Sequence, residues 1–211
     1  MKFLSKVALL TLGMAFAATA SYADTVSMTF TGTSGVSNGT DYIYPYYFSI
    51  DGSTTSTNLM CVSFNNEVYQ GESWTATTAA VTTASSKTAQ EDAYLFSLIG
   101  DGIYSNNDIQ EAAWYLGASN PSAVPTTPAD HALLAAASSA VTQADLGGMS
   151  TFNNGQFTLF TPVAGSQPSN DGIPQTFVGI APTPEPGSLL LLASGLFGCA
   201  GLVYRRKRAI L

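Results

Sequence analysis

Positive charge is nearly absent from this chain. Its 211 residues hold seven Lys and Arg against fourteen Asp and Glu. Six of the seven sit at the two ends: Lys2 and Lys6 in front, Arg205, Arg206, Lys207 and Arg208 behind. Between residues 24 and 183, Lys87 stands alone against thirteen acids, a net charge of −12. A surface of that sign repels phosphate backbones, which argues against nucleic acid as a partner. Histidine is also scarce. His131 has no Cys or second His near it in sequence, so it makes a poor metal ligand. No G-x-S-x-G, no H-E-x-x-H and no phosphate-binding glycine loop occurs. Acid/base or triad catalysis therefore has few players, and the expectation is a protein that is not an enzyme and needs no cofactor or metal. No internal repeat of useful period is present.

The basic residues that do occur mark the termini. Lys2 and Lys6 flank the start of an apolar run, Val7 to Ala18, and Ser21-Tyr22-Ala23 supplies small residues before a cut. The run is too short and too early for an anchor. Residues 1–23 are expected to be a secretory signal peptide cleaved after Ala23, with Ala18-Thr19-Ala20 as the alternative site. The far end reads Pro184-Glu185-Pro186, then uncharged residues through Tyr204, then Arg205-Arg206-Lys207-Arg208. At about 1.5 Å per residue, this apolar stretch is just long enough as a helix for a hydrocarbon core of about 30 Å. Lys and Arg beside a span stay on the cytoplasmic side, so the preceding residues lie across the membrane. The expected organisation is a signal peptide (1–23), an exported domain (24–180), a Pro-rich spacer (181–187), a transmembrane helix (188–204) and a basic cytoplasmic tail (205–211).

Pro184, Glu185 and Pro186, the span from Ser188 to Tyr204, and Arg205, Arg206, Lys207 and Arg208 occur together, in order, at the C-terminus. This tail resembles the PEP-CTERM protein-sorting signal of Gram-negative bacteria. The resemblance implies an exosortase, a membrane transpeptidase that acts near the Pro-Glu-Pro. It implies anchoring in the inner membrane before processing, then delivery to the cell surface or extracellular matrix. The alternative is an ordinary single-pass anchor whose prolines only break the helix.

Only two cysteines are present, and Cys199 lies inside the apolar tail. Cys61 is then alone in an oxidising compartment where disulfides normally form. A lone exported cysteine calls for burial, intermolecular pairing or chemistry.

The exported stretch reads as α+β, an antiparallel β scaffold with two or three helices in mid-chain. Thr25 to Thr31 alternates Val26, Met28 and Phe30 with hydroxyl residues, the pattern of a half-buried strand. Asp41 to Ile50 is rich in Tyr and Phe and reads as a strand interrupted at Pro45. Its rings are core first and a sugar platform second. Leu59 to Tyr69 reads as a strand entering a turn, and a short strand follows Trp74. Ala79 to Ile99 reads as a helix with Lys87, Gln90 and Glu91 on its polar face. Ser105 to Asp108 offers caps for a helix over Ile109 to Leu116, and Thr127 caps another that starts at Pro128 and runs to about Ala144. Gln156 to Val163 and Gln175 to Ile180 read as strands. Asp101, Asp108 and Glu111 surround a turn and a helix start, where acids are favoured anyway. Their spacing does not match an EF-hand loop, and Ca²⁺ there stays open.

Two segments carry chemistry. Leu59-Met60-Cys61-Val62 sets the lone cysteine between apolar neighbours, and Ile109-Gln110-Glu111-Ala112-Ala113-Trp114 sets a glutamine one helical turn before a tryptophan. The pair resembles the thioester domains of bacterial surface adhesins. There a cysteine sulfur displaces ammonia from a glutamine carboxamide. By that resemblance Cys61 supplies the sulfur, Gln110 the acyl group, and Trp114 shields the bond. Met60, Ile109 and Ala113 depart from the family's preferred residues, so a shared fold without the bond stays open. The expected role is a structural or adhesive surface or matrix component in an exopolysaccharide setting, processed by exosortase. The alternatives are a covalent adhesin that captures an amine-bearing partner and, weakest, a secreted hydrolase.

Overall fold

The computed structural model describes residues 24–124, 126–142, 156–166 and 172–181, together with Gly195. Six strands make a closed antiparallel barrel: β1 (Asp24–Thr33), β2 (Tyr46–Ile50), β3 (Thr57–Cys61), β4 (Ser73–Ala80), β5 (Phe157–Pro162) and β6 (Phe177–Ile180). Around the barrel the order is β1-β2-β3-β6-β5-β4. The first three strands form a meander, and β4 returns to pair with β1 from Asp24↔Thr78 to Thr29↔Ser73. β5 adds to β4, and β6 closes the ring against β3 at Cys61↔Phe177. Among the described residues, three α-helices fall between β4 and β5: α1 (Lys87–Ser97), α2 (Asn106–Gly117) and α3 (Pro128–Thr142). A mixed α+β fold on an antiparallel scaffold is therefore present.

Burial explains the strand patterns. β1, β2 and β4 turn one face inward, with Met28, Phe30, Phe48, Ile50, Trp74 and Ala76 buried, while hydroxyl residues such as Thr25 and Thr29 face out. That is the period of two expected for a sheet wet on one side. β3, β5 and β6 are covered on both faces. Leu59, Cys61, Phe160 and Phe177 point into the barrel, while Met60, Val62, Phe157 and Val178 join the layer beneath the helices. Around Phe48, the Phe177 ring lies at 4.6 Å and the Trp74 ring at 5.8 Å, both edge-on. Edge-on aromatic pairs of this kind add about 0.5–1.5 kcal/mol each beyond their burial.

Several elements differ from the sequence reading. The helix read from Ala79 starts only at Lys87, because β4 runs through Ala80 with pairing to β5 at Ala80↔Thr158. Ser86 then caps α1 through its hydroxyl, which accepts from the Ala89 N–H at 3.2 Å. Of the face read as polar, Lys87 is exposed, but Gln90 and Glu91 are covered, with Glu91 paired to Lys87 at 3.3 Å and the Gln90 amide donating to the Ser85 carbonyl at 2.7 Å. The strand read from Asp41 begins at Tyr46, and the strand read to Tyr69 ends at Cys61. α2 agrees closely with its expectation and owns a full capping box between Ser105 and Asp108. α3 starts at Pro128 as read, with the Asp130 N–H donating to the Thr127 hydroxyl at 3.3 Å and the Thr127 N–H donating back to the Asp130 carboxylate.

Candidate functional site

α2 carries Gln110 and Trp114 one turn apart on the face that meets β3. Both are buried, as is Cys61 at the end of β3. The Gln110 Nε2 amide donates to the backbone carbonyl of Cys61 at 2.5 Å. The Gln110 Oε1 atom is buried and accepts from no described residue. So the structure brings together the three residues that the sequence singled out for chemistry. Complete burial also answers the question of why one cysteine stands alone: Cys61 is out of reach of an intermolecular disulfide while the domain is folded.

The electrostatics of the site oppose a free thiolate. Burial pushes the Cys61 thiol up to about 12, against the lowering pull of the Trp114 indole N–H and of the Ser63 backbone and side chain. The neutral thiol donates to the Ser63 carbonyl at 3.5 Å. The indole N–H nevertheless reaches no acceptor at hydrogen-bond geometry. Its pull on Cys61 is thus a near approach, weaker than a formed bond. Tyr46, on β2, feels both Cys61 and Asp41, and burial first of all holds its phenol well above the ordinary range.

Two approaches of backbone fix the site. α2 ends at Gly117, where a Cβ would sit 1.8 Å from the Val62 carbonyl oxygen, one residue past Cys61. Only glycine lets the helix lie this close to the chain leaving β3. At the other side, Asn38 Nδ2 donates to Glu111 Oε1 at 3.0 Å and ties the loop after β1 to α2.

Asp92 was not singled out by the sequence, which showed only an acid inside a helix. On α1 it is 3% exposed, its Oδ1 has no described partner, and it is close enough to raise the Cys61 thiol further. Burial first, and then the neighbouring Glu91 charge, hold its carboxyl well above the usual range. A raised acid binds more protons folded than unfolded, so it costs stability as pH rises above the unfolded value of about 3.9. The variant Asp92→Asn is expected to gain on the wild type steadily as pH rises from 4 to 8, read as the difference between their denaturation midpoints. A difference that stays flat over this range would mean that Asp92 titrates normally.

A cavity of about 410 Å³ opens beside the site, with Trp114 and Tyr46 in its floor. Tyr42 and Tyr69 are exposed at its mouth, with Asp41 and Glu67 on its walls. The aromatic cluster read as one strand thus divides: Tyr46 and Phe48 are core, while Tyr42 precedes the strand and borders the cavity.

The remaining candidates disperse. Asp108 is used in the capping box, Glu111 accepts from Asn38, and Asp101 accepts from the Ile103 N–H at 2.9 Å. Among the described residues no group of three His, Cys, Asp or Glu could hold a metal ion. His131 lies edge-on to the Tyr115 ring at 6.2 Å. Ala23, Pro184, Glu185, Pro186, Cys199, Arg205, Arg206, Lys207 and Arg208 lie outside the described residues, as do the signal peptide and, Gly195 apart, the expected span 188–204. Among the described residues no helix is long and apolar enough to cross a membrane.

Comparison with curated proteins and with solved structures returned no match. Comparison with protein-family models returned one over residues 182–208, described as the PEP-CTERM protein-sorting motif. The matched range takes in Pro184, Glu185 and Pro186 and extends through Arg208. The chain therefore carries a PEP-CTERM protein-sorting motif, the mark of an exported exosortase substrate made as a membrane-anchored precursor.

Proposed function

We propose that this protein is a structural or adhesive component of the cell surface or extracellular matrix, in an exopolysaccharide setting, released to its place by exosortase near Pro184-Glu185-Pro186. The sorting motif at residues 182–208 carries the reading. The domain suits it: a closed barrel offers no open edge for unwanted pairing, and its acidic surface favours solubility outside the cell. Removing Pro184 to Pro186 is expected to leave the protein in the inner-membrane fraction, with the surface and matrix pools depleted at least tenfold. An unchanged distribution between fractions sinks the sorting role.

A second reading is a covalent adhesin with an internal thioester between Cys61 and Gln110. The buried contact between the Gln110 amide and the Cys61 carbonyl supports it, together with the unpartnered Gln110 Oε1. In the reaction Sγ of Cys61 attacks Cδ of Gln110, the C–N bond breaks, and the thiol proton leaves with the nitrogen as ammonia. Trp114, buried beside them with its ring tilted against Phe64 at 5.5 Å, keeps water off the product. A partner amine would then take the acyl group and return Cys61 to a thiol. This reading keeps the same address and changes only the manner of attachment.

A further inference from the structure

We propose that the cavity beside Trp114 holds one unit of an amino sugar, a 2-amino-2-deoxy pyranose in its ammonium form, from an extracellular polysaccharide. Three features of the wall point to it. The first is ring surface. Phe64 and Trp114 form a tilted pair, and Tyr42 and Tyr69 are more than half exposed beside them. Flat apolar faces of this kind suit the C–H faces of a pyranose. The second is charge. Asp41 and Glu67 line the cavity, and no Lys, Arg or His does. The domain's strong negative field draws cations toward it and repels uronic acids and phosphates. The third is an unmet acceptor. Gln175 is 8% exposed, its Nε2 donates to the Asn66 carbonyl at 2.6 Å, and its Oε1 has no described partner. Gln175 lines the cavity, and its buried carbonyl oxygen lacks only a hydroxyl or ammonium donor.

Size agrees. About 410 Å³ falls within the ~300–1,000 Å³ usual for small-molecule sites and accommodates a sugar unit with part of its neighbour. Other occupants use the wall less well. A neutral hexose leaves the two carboxylates without a cation. A bare alkylammonium leaves the ring faces wet. An N-acetylated sugar loses the charge that the carboxylates attract.

This inference deepens the matrix reading and rests on it only for the source of the polymer. Binding to purified protein does not depend on cellular address, so the two can fail separately. The test is calorimetric titration of the full-length chain in detergent with four probes: the glucosamine disaccharide, its N,N′-diacetyl form, cellobiose and ethylamine. The glucosamine disaccharide is expected to bind at least tenfold more tightly than the other three. In the double variant Asp41→Asn, Glu67→Gln that preference is expected to fall at least tenfold, with the thermal midpoint unchanged. Equal binding of cellobiose removes the ammonium from the proposal, equal binding of ethylamine removes the sugar ring, and either overturns it. So does the absence of saturable binding by any probe, which needs no variant to read.

Discussion

Gly117→Ala is expected to destabilise the domain by about 3 kcal/mol, the upper end of overpacking costs. An added Cβ would lie 1.8 Å from the Val62 carbonyl oxygen, 3.0 Å from the Val62 carbonyl carbon and 3.6 Å from Ser63 Cα. All three are backbone atoms, so no side chain can rotate out of the way. That backbone is itself pinned to the segment before β6. The Val62 N–H donates to the Thr176 carbonyl at 2.9 Å, and the Thr176 N–H donates to the Ser63 hydroxyl at 2.8 Å. To admit a methyl group, α2 must lift away from the end of β3, and the contact between Gln110 and Cys61 lengthens with it. Where nothing crowds a helical glycine, the same change stabilises by roughly 0.5–1 kcal/mol. The two cases differ in sign, which makes the measurement decisive. A urea midpoint that falls with unchanged slope supports the close approach. A midpoint that rises would show that α2 does not rest on Val62.

The parts of the fold that were legible in the sequence are those with local causes. The alternation in β1 follows from a sheet with one wet face. The start of α2 follows from Ser105 and Asp108, which meet each other within one turn. The misplaced start of α1 has a tertiary cause. Ala79 and Ala80 favour a helix by propensity, yet pairing of β4 with β5 holds them extended. β3 shows no alternation, because Leu59 and Cys61 face the barrel while Met60 and Val62 face the helices. Barrel closure was illegible for a simpler reason. β3 and β6 pair Cys61 with Phe177, and no local pattern reports a contact across so much chain. The candidate site divides the same way. Cys61, Gln110 and Trp114 stood out by their own segments. Asp92 and Gln175 acquire their importance only from what is packed around them, and a helical acid or a loop glutamine carries no mark of its future burial.

Under the thioester reading, the chain purified without reducing agent or added amines is expected to weigh about 17 Da less than its sequence, with methylamine then adding about 31 Da. The deficit is one ammonia, lost when Cys61 acylates itself on Gln110. Burial at first works against this step, since a thiol held up to about 12 supplies almost no thiolate at neutral pH. Burial also favours it. Proton removal need not precede attack if the proton travels to the leaving nitrogen, and two groups fixed side by side react with a high effective molarity. Gln110 is so fixed, by α2 beneath it and by the Cys61 carbonyl that accepts its amide. An ammonia deficit alone is ambiguous, because Asn38-Gly39 and Asn154-Gly155 can lose ammonia through a backbone imide. Cys61→Ala and Gln110→Ala remove that ambiguity: each abolishes a thioester deficit and leaves an imide deficit in place. A full sequence mass in the wild type, with one thiol that titrates only after unfolding, would leave Cys61 as a buried core side chain. The matrix attachment proposed above would then be non-covalent, and the cavity beside Trp114 would have to provide the grip.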